Sequence, residues 1–203
     1  ANLVQRYIGS AGEAPRLDKL GGTGWENKKS KARKSAEDLA SHLIQLYARR
    51  RNSKGFPFAK DNDWQLKFEA EFEFDETKDD MESSTVMDRL ICGDVGYGKT
   101  EIAFRAVFKA VMSGKQVAFL APTTILAEQH YRNFKERLHE FPLKVGLLSR
   151  MVPAKEQKKT LSALANGQLD VLFGTHKIIQ KDVVFKDLGL LVIDEEQRFG
   201  VKH

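Results

Sequence analysis

The eight residues Gly93-Asp94-Val95-Gly96-Tyr97-Gly98-Lys99-Thr100 fit the pattern G-x-x-x-x-G-K-[ST], and nothing else in the chain restricts its fold so tightly. A loop of this kind turns several backbone N–H groups inward around phosphate oxygens, which requires glycine. It also ends at a helix N-terminus, whose dipole favours the anion. It must therefore follow a strand and open a helix, and the sequence supplies both. Arg89-Leu90-Ile91-Cys92 precedes the loop as a short apolar run, and Thr100-Glu101-Ile102-Ala103-Phe104-Arg105-Ala106 follows it with helical character. Lys99 is then placed to reach the β- and γ-phosphates of a nucleotide, and Thr100 to ligate Mg2+.

From Met87 onward, short apolar runs alternate with helical stretches. Arg89–Cys92, Gln116–Leu120, Lys144–Leu148, Asp170–Phe173 and Leu190–Ile193 read as strands; 99–112, 124–139, 154–166 and 176–180 read as helices. Strands that are almost continuously apolar and separated by helices predict an α/β fold, a parallel sheet covered by helices on both faces. Leu190-Leu191-Val192-Ile193 runs into Asp194 and Glu195, two acids at a strand's carboxyl end. Asp194 is placed to position Mg2+ through its water shell, and Glu195 to orient or deprotonate an attacking water. Two acids after a strand also occur in ordinary polar loops, but beside a phosphate loop they argue for nucleotide hydrolysis. The Asn-Lys-x-Asp run that reads guanine is absent, since Asn27-Lys28-Lys29-Ser30 fails at its last position. ATP is the expected nucleotide.

Composition narrows the remaining classes. The chain has 203 residues, enough for one or two domains, and ordinary apolar content, which excludes collagen-like and generally disordered chains. Cys92 is the single cysteine, so a disulfide framework and a cysteine-based zinc cluster are both excluded. No apolar run approaches the ~18 residues needed to cross a bilayer, and ANLVQRYIGS lacks the layout of a signal peptide. The expectation is a soluble, cytoplasmic protein with no membrane partner.

Charge is distributed unevenly. Residues 1–60 hold 13 Lys/Arg against 5 Asp/Glu, residues 61–84 hold 2 against 10, and residues 85–203 hold 18 against 13. Three structural units with these bounds are expected. In the first, a Gly-rich loop over 9–24 leads to a capping box of Thr23 and Glu26 and then a long helix over 25–51. Ala32, Ala36, Leu39, Ala40, Leu43, Ile44 and Tyr47 form its apolar stripe. Lys28-Lys29-Ser30-Lys31-Ala32-Arg33-Lys34 is either a solvated helix face or a contact for nucleic acid or an acidic protein. Residues 64–74 satisfy both helical and strand periodicity; helix is favoured by their Gln, Lys, Glu and Ala content.

Larger motifs then carry a resemblance. Asp194-Glu195-Glu196-Gln197 resembles the DExx box of superfamily-two helicases and translocases, residues 121–130 (APTTILAEQH) their motif Ia, and Gly174-Thr175-His176 the next motif that contacts nucleic acid. MDRLICGDVGYGKTEIAFRAVFKA (87–110), PTTILAEQHYRNFKER (122–137), residues 173–203 and RYIGSAGEAPRLDKLGG (6–22) resemble the bacterial transcription-repair coupling family of double-stranded DNA translocases. The resemblance covers almost the whole chain. It implies that 85–203 is the first RecA-like motor lobe, with a P-loop parallel sheet, and that Gly93, Asp94, Val95, Gly96, Tyr97, Gly98, Lys99 and Thr100 bind ATP. Asp194 and Glu195 would serve metal and water, with Thr100 and Asp194 as Mg2+ ligands, and Gln197 would couple nucleotide state to DNA. Thr123, Thr124, Gln129 and His130 lie in or just after motif Ia, Thr123 and Thr124 best suiting phosphate contact, and Thr175 and His176 would continue the DNA track. Taken singly, a Thr at a helix start is more often a cap and His176 more often a loop histidine.

The resemblance also implies partners. Helix 25–51 would connect an RNA-polymerase-interacting domain to the first motor lobe, with only the last edge of that domain inside 1–60. RNA polymerase would be met through that mostly absent upstream domain, and nucleotide-excision repair proteins would be partners of the full-length protein. A second lobe carrying arginines that complete the ATP site is expected beyond residue 203, so the piece alone is expected to bind ATP weakly and hydrolyse it poorly. The family has a further turn of helix where Phe74-Asp75-Glu76-Thr77 here meets Lys78-Asp79-Asp80-Met81-Glu82, so no adenine-reading residue is assigned. Two alternatives stand: the motor lobe of a branch-migrating repair helicase, and a non-catalytic interaction module built on helix 25–51. The 6–22 segment and the long helix favour the coupling family over the first.

Overall fold

The computed structural model describes residues 23–70, 80–93 and 98–195. The Gly-rich loop expected at 9–24 falls almost wholly outside these, as do Phe72, Phe74, the loop residues 94–97 and Gln197. Residues through Ser53 form one compact unit and residues from Lys54 a second.

The first unit is carried by helix α1, Thr23–Asn52. Arg49, Arg50 and Arg51 sit in its last turn, where the dipole favours cations. The Ser53 hydroxyl donates to the Arg49 carbonyl at 2.8 Å and closes the end. No residue of α1 is buried, and the basic run 28–34 lies in solvent, as a charged helix face does.

The second unit is built on a parallel sheet of four strands: β1 Gln116–Leu120, β2 Val145–Leu148, β3 Val171–Gly174 and β4 Leu188–Ile193, in the order β2-β3-β1-β4. Helix α3, Lys99–Met112, leads into β1, and the chain then crosses between the strands through α4 Thr124–Arg137, α5 Ala154–Ala165 and a 3-10 turn at His176–Ile179. Apart from Gln116 at the start of β1, the central strands are apolar because successive side chains enter different cores. From β1, Val117 and Phe119 enter an aromatic layer beneath α3 and α4, while Ala118 and Leu120 enter an aliphatic layer with Leu164 of α5 and Ile178 of the turn. β3 divides likewise, Val171 and Phe173 on one side and Leu172 on the other. Helices cover both faces, as the alternation of elements predicted.

The acidic segment contributes to the second unit's core. Helix α2, Asp63–Glu69, starts at Asn62, whose side chain accepts the Gln65 N–H at 2.9 Å, and buries Phe68 completely. Phe68 stacks on Phe108 of α3 at 4.3 Å and meets Phe134 and Phe141 edge-on. The helix reading of 64–74 holds through Glu69. Two of the acidic charges converge on one buried cation: Lys109 donates to Asp61 at 2.7 Å and Glu82 at 3.0 Å. A second buried group joins α2, α3 and α4. Glu101 accepts from Arg105 and Arg137, and Arg137 donates to the Phe68 carbonyl at 2.7 Å with its guanidinium 4.0 Å from the Phe68 ring centroid.

One expected strand is absent. Among the described residues no strand forms over Arg89–Cys92, and Leu90 is 75% exposed. An apolar run gives side-chain pattern only; a strand exists through ladder hydrogen bonds, and this segment's nearest pairing is the isolated antiparallel bridge of Thr85 with Lys54. Correspondingly β4 is an edge, with Leu188, Leu191 and Ile193 each more than 40% exposed. Among the described residues no helix is long and apolar enough to cross a membrane.

Candidate functional site

In a parallel sheet every strand ends on the same side, so the loops following β1, β3 and β4 gather at one edge. Three of the sequence-predicted groups meet there. β4 pairs with β1 to its end, and the Asp194 N–H continues the ladder to the Leu120 carbonyl at 2.9 Å. The Asp194 carboxylate is thereby fixed at the carboxyl edge, with its side chain 30% exposed.

The phosphate loop approaches from α3. Gly98 occupies the left-handed region (φ +71°) at the N-cap of α3, a conformation in which a side chain would be strained. Lys99 folds its ammonium back to the Gly93 carbonyl, and Lys99 and Thr100 are both half-buried. Asp94, Val95, Gly96 and Tyr97 lie outside the described residues. The Asp194 carboxyl is held below the usual carboxylate range, chiefly by a hydrogen bond from His130. Burial opposes this, while the His130 charge, the Glu195 backbone N–H and the Lys99 ammonium add to it. The Lys99 ammonium thus lies within electrostatic reach of the Asp194 carboxylate although 95 positions separate them.

Glu195 follows with φ +49°, the left-handed region that costs a side-chain-bearing residue about 1 kcal/mol. The turn aims its N–H at the Asp194 carboxylate, so strain in one residue supports the charge of its neighbour. Gln197 lies outside the described residues.

The six residues expected to meet DNA divide. Thr123 is exposed and caps α4, its hydroxyl accepting the Leu126 N–H at 3.2 Å; Thr124 is half-buried; Gln129 and His176 are exposed. For His130 and Thr175 the structure corrects the expectation. Both are 6% exposed, and a side chain already removed from water inside the fold has no reach to a polymer outside it. His130 turns inward from α4, between Phe104 of α3 (ring centroids 6.3 Å apart) and Phe119 of β1 (5.0 Å), and its Nε2 lies 2.8 Å from Asp194 Oδ2. Sequence reading placed His130 beside motif Ia but missed this contact, because 64 positions separate the partners and no spacing rule joins them.

Residues 77–203 match the model of the family described as DEAD/DEAH box helicase. The chain belongs to that family. It is 54% identical over 98% of its length to the transcription-repair-coupling factor of Bacillus subtilis, and 51% identical over 98% to that of Staphylococcus aureus. It spans 18% of the length of each of these relatives. A solved structure of RecG bound to a three-way DNA junction superposes with a TM-score of 0.69 at 39% identity, covering 77% of this chain and 23% of that one. The helicase family's nucleotide-binding, RecA-like α/β fold is therefore the fold of the second unit.

Proposed function

We propose that this chain is the ATP-binding first motor lobe, over 85–203, of a double-stranded DNA translocase of the cytoplasm that displaces stalled RNA polymerase in transcription-coupled repair. The observation that carries it is the placement of Asp194, laddered to the Leu120 carbonyl at the carboxyl edge of the sheet and held by His130 at 2.8 Å, with Lys99 at the start of α3 within its electrostatic reach. The relatives' shared name, at 51–54% identity over 98% of the chain, supports the biological setting. On this reading RNA polymerase and excision-repair proteins are partners of the longer protein.

The residues present suit Mg2+. A carboxylate kept ionised and a hydroxyl are hard oxygen donors, and this ion is usually held by one or two such side chains together with nucleotide phosphates. Thr100 and Asp194 would hold it, and it would supply neutralisation of phosphate charge. Gly93 to Thr100 bind the phosphates through backbone N–H groups, Lys99 pairs with the β- and γ-oxygens, and Glu195 orients water. Gln197 relays nucleotide state to DNA. Thr123, Thr124, Gln129 and His176 offer hydroxyl, amide and imidazole groups to a phosphate backbone at the same edge.

Lys99→Ala tests the assignment. Binding of a fluorescent ATP analogue falls at least about tenfold while circular dichroism is unchanged, as loss of a charge-assisted phosphate contact requires. Retained binding would overturn the nucleotide site and leave the interaction-module reading. DNA affinity is expected to be indifferent to sequence and to fall with salt, as phosphate contacts dictate; strong selectivity among duplexes of equal length contradicts it. The RecG neighbour supports a second reading, a branch-migrating helicase lobe. Preference for a three-way junction over a linear duplex in competition binding would favour that one.

A further inference from the structure

The inward turn of His130 gives the site a connection that neither the phosphate loop nor the DExx box contains. The His130 ring is buried between Phe104, on the helix that opens at Lys99, and Phe119, on the strand to which Asp194 is laddered. Its Nε2 sits 2.8 Å from Asp194 Oδ2, while its Nδ1 has no hydrogen-bond partner among the described residues. An ionised carboxylate only accepts, so Nε2 carries a hydrogen and donates it to Oδ2. One oxygen of Asp194 is thus committed to a ring packed against Phe104 and Phe119, while the carboxylate as a whole stays 30% exposed at the edge and also receives the Glu195 N–H. His130 belongs to α4, the helix that begins at the exposed cap Thr123 and carries exposed Gln129 beside it.

We propose that His130 is a positioning residue for the metal-binding carboxylate: by donating from Nε2 to Oδ2 it fixes the rotation of Asp194 so that the second oxygen faces the metal's water shell. The inference rests on the reading of Asp194 as a Mg2+–nucleotide residue. Carboxylate–imidazole pairs do this in metal sites generally, where losing the outer partner costs about 10- to 100-fold in metal affinity. The arrangement also makes the setting of Asp194 depend on where α4 sits. A helix that presents Thr123 and Gln129 at the proposed DNA edge therefore holds the metal acid from its inner face.

The full chain is titrated with Mn2+ in the presence of ADP, followed by electron paramagnetic resonance, for the unaltered protein, His130→Phe and His130→Gln. Phenylalanine keeps a ring among Phe104 and Phe119 but has no donor; glutamine places an N–H near the position of Nε2. His130→Phe is expected to weaken Mn2+ binding about tenfold, leaving ADP binding without metal and the thermal midpoint close to those of the unaltered protein. His130→Gln recovers most of the loss. Equal Mn2+ affinity in a folded His130→Phe variant, or a glutamine variant as weak as the phenylalanine one, overturns the proposal. If the unaltered chain binds ADP but Mn2+ does not strengthen that binding, the metal reading of Asp194 falls and takes this proposal with it. Should the variants not fold, nitrogen NMR of the unaltered chain decides: Nε2 of His130 carries the proton, and its resonance moves when Mg2+ and ADP are added together but not with ADP alone. A resonance that ignores the metal refutes the role.

Discussion

The two ends of strand β1 stand in contrast. At its start, the buried Gln116 side chain satisfies every group it meets. Its Nε2 donates to the Leu164 and Leu169 carbonyls at 2.9 and 2.8 Å, and its Oε1 accepts the Lys186 and Asp187 N–H groups at 2.7 and 3.0 Å. One amide thereby ties the end of α5, the entry to β3 and the entry to β4. Lys115 adds an ion pair to Asp187 at 2.8 Å on the surface above. At the other end, where Leu120 meets Asp194, the groups are ionised, half-exposed or strained: a carboxylate open on one side, Glu195 at positive φ, an imidazole with a bare ring nitrogen. The amino edge of the sheet is closed by full hydrogen bonding, and the carboxyl edge keeps unspent polar capacity for a ligand. A site that must bind something cannot be internally satisfied, so stability has to come from the opposite edge.

The largest break in this contrast is Gln116→Ala, which would take the partner from the Leu169 carbonyl and from the Lys186 and Asp187 N–H groups, while the Leu164 carbonyl keeps the Gly167 N–H at 3.0 Å. About 3 kcal/mol of stability is expected to go, since each such orphan costs roughly 1–3 kcal/mol and water reaches some of them; urea unfolding measures it. A loss below about 1 kcal/mol would show that the amino edge is not where the unit is fastened. Glu195→Gly should act in the opposite direction, raising stability by about 1 kcal/mol as the left-handed strain is released, while ATP turnover falls if Glu195 orients water as proposed. A glycine variant that is no more stable would mean that the strain is not local to that residue.

The smallest effect is confined to acid. Because the Asp194 carboxyl titrates lower in the fold than in the unfolded chain, its contribution is present above the ordinary carboxylate value of about 3.9 and is lost as pH falls through the lower folded value. Asp194→Asn should therefore lower thermal stability relative to the unaltered chain near pH 6 and converge with it as pH falls from the ordinary carboxylate value through the lower folded one. A gap that persists unchanged into acid would assign the effect to packing and not to charge.

Much of this architecture is local in sequence and was legible there. Helices 99–112 and 124–137 begin at a glycine N-cap and a threonine cap, and β1 matches its apolar run from Gln116 to Leu120. The run at 89–92 was misleading because apolar content states what a segment can bury, not which neighbour offers it a ladder. The charge pattern was legible as a boundary but not as a structure: Asp61 and Glu82 look like parts of an acidic tract until Lys109 draws both onto α3.

The chemistry of the edge is set by the order of residues alone. A glycine-rich run ending in Lys99 and Thr100, and two acids after an apolar strand, require particular atom types at short range, and those are written in order along the chain. The long-range partner of each polar group is instead assigned by the packing. Gln116 became a clamp, and His130, placed by its neighbours among DNA contacts, became the partner of Asp194. The physical reason is that a buried polar atom is fixed by whatever donor or acceptor the packed sheet brings within 3 Å, and that proximity comes from the packing of strands and helices distant in sequence.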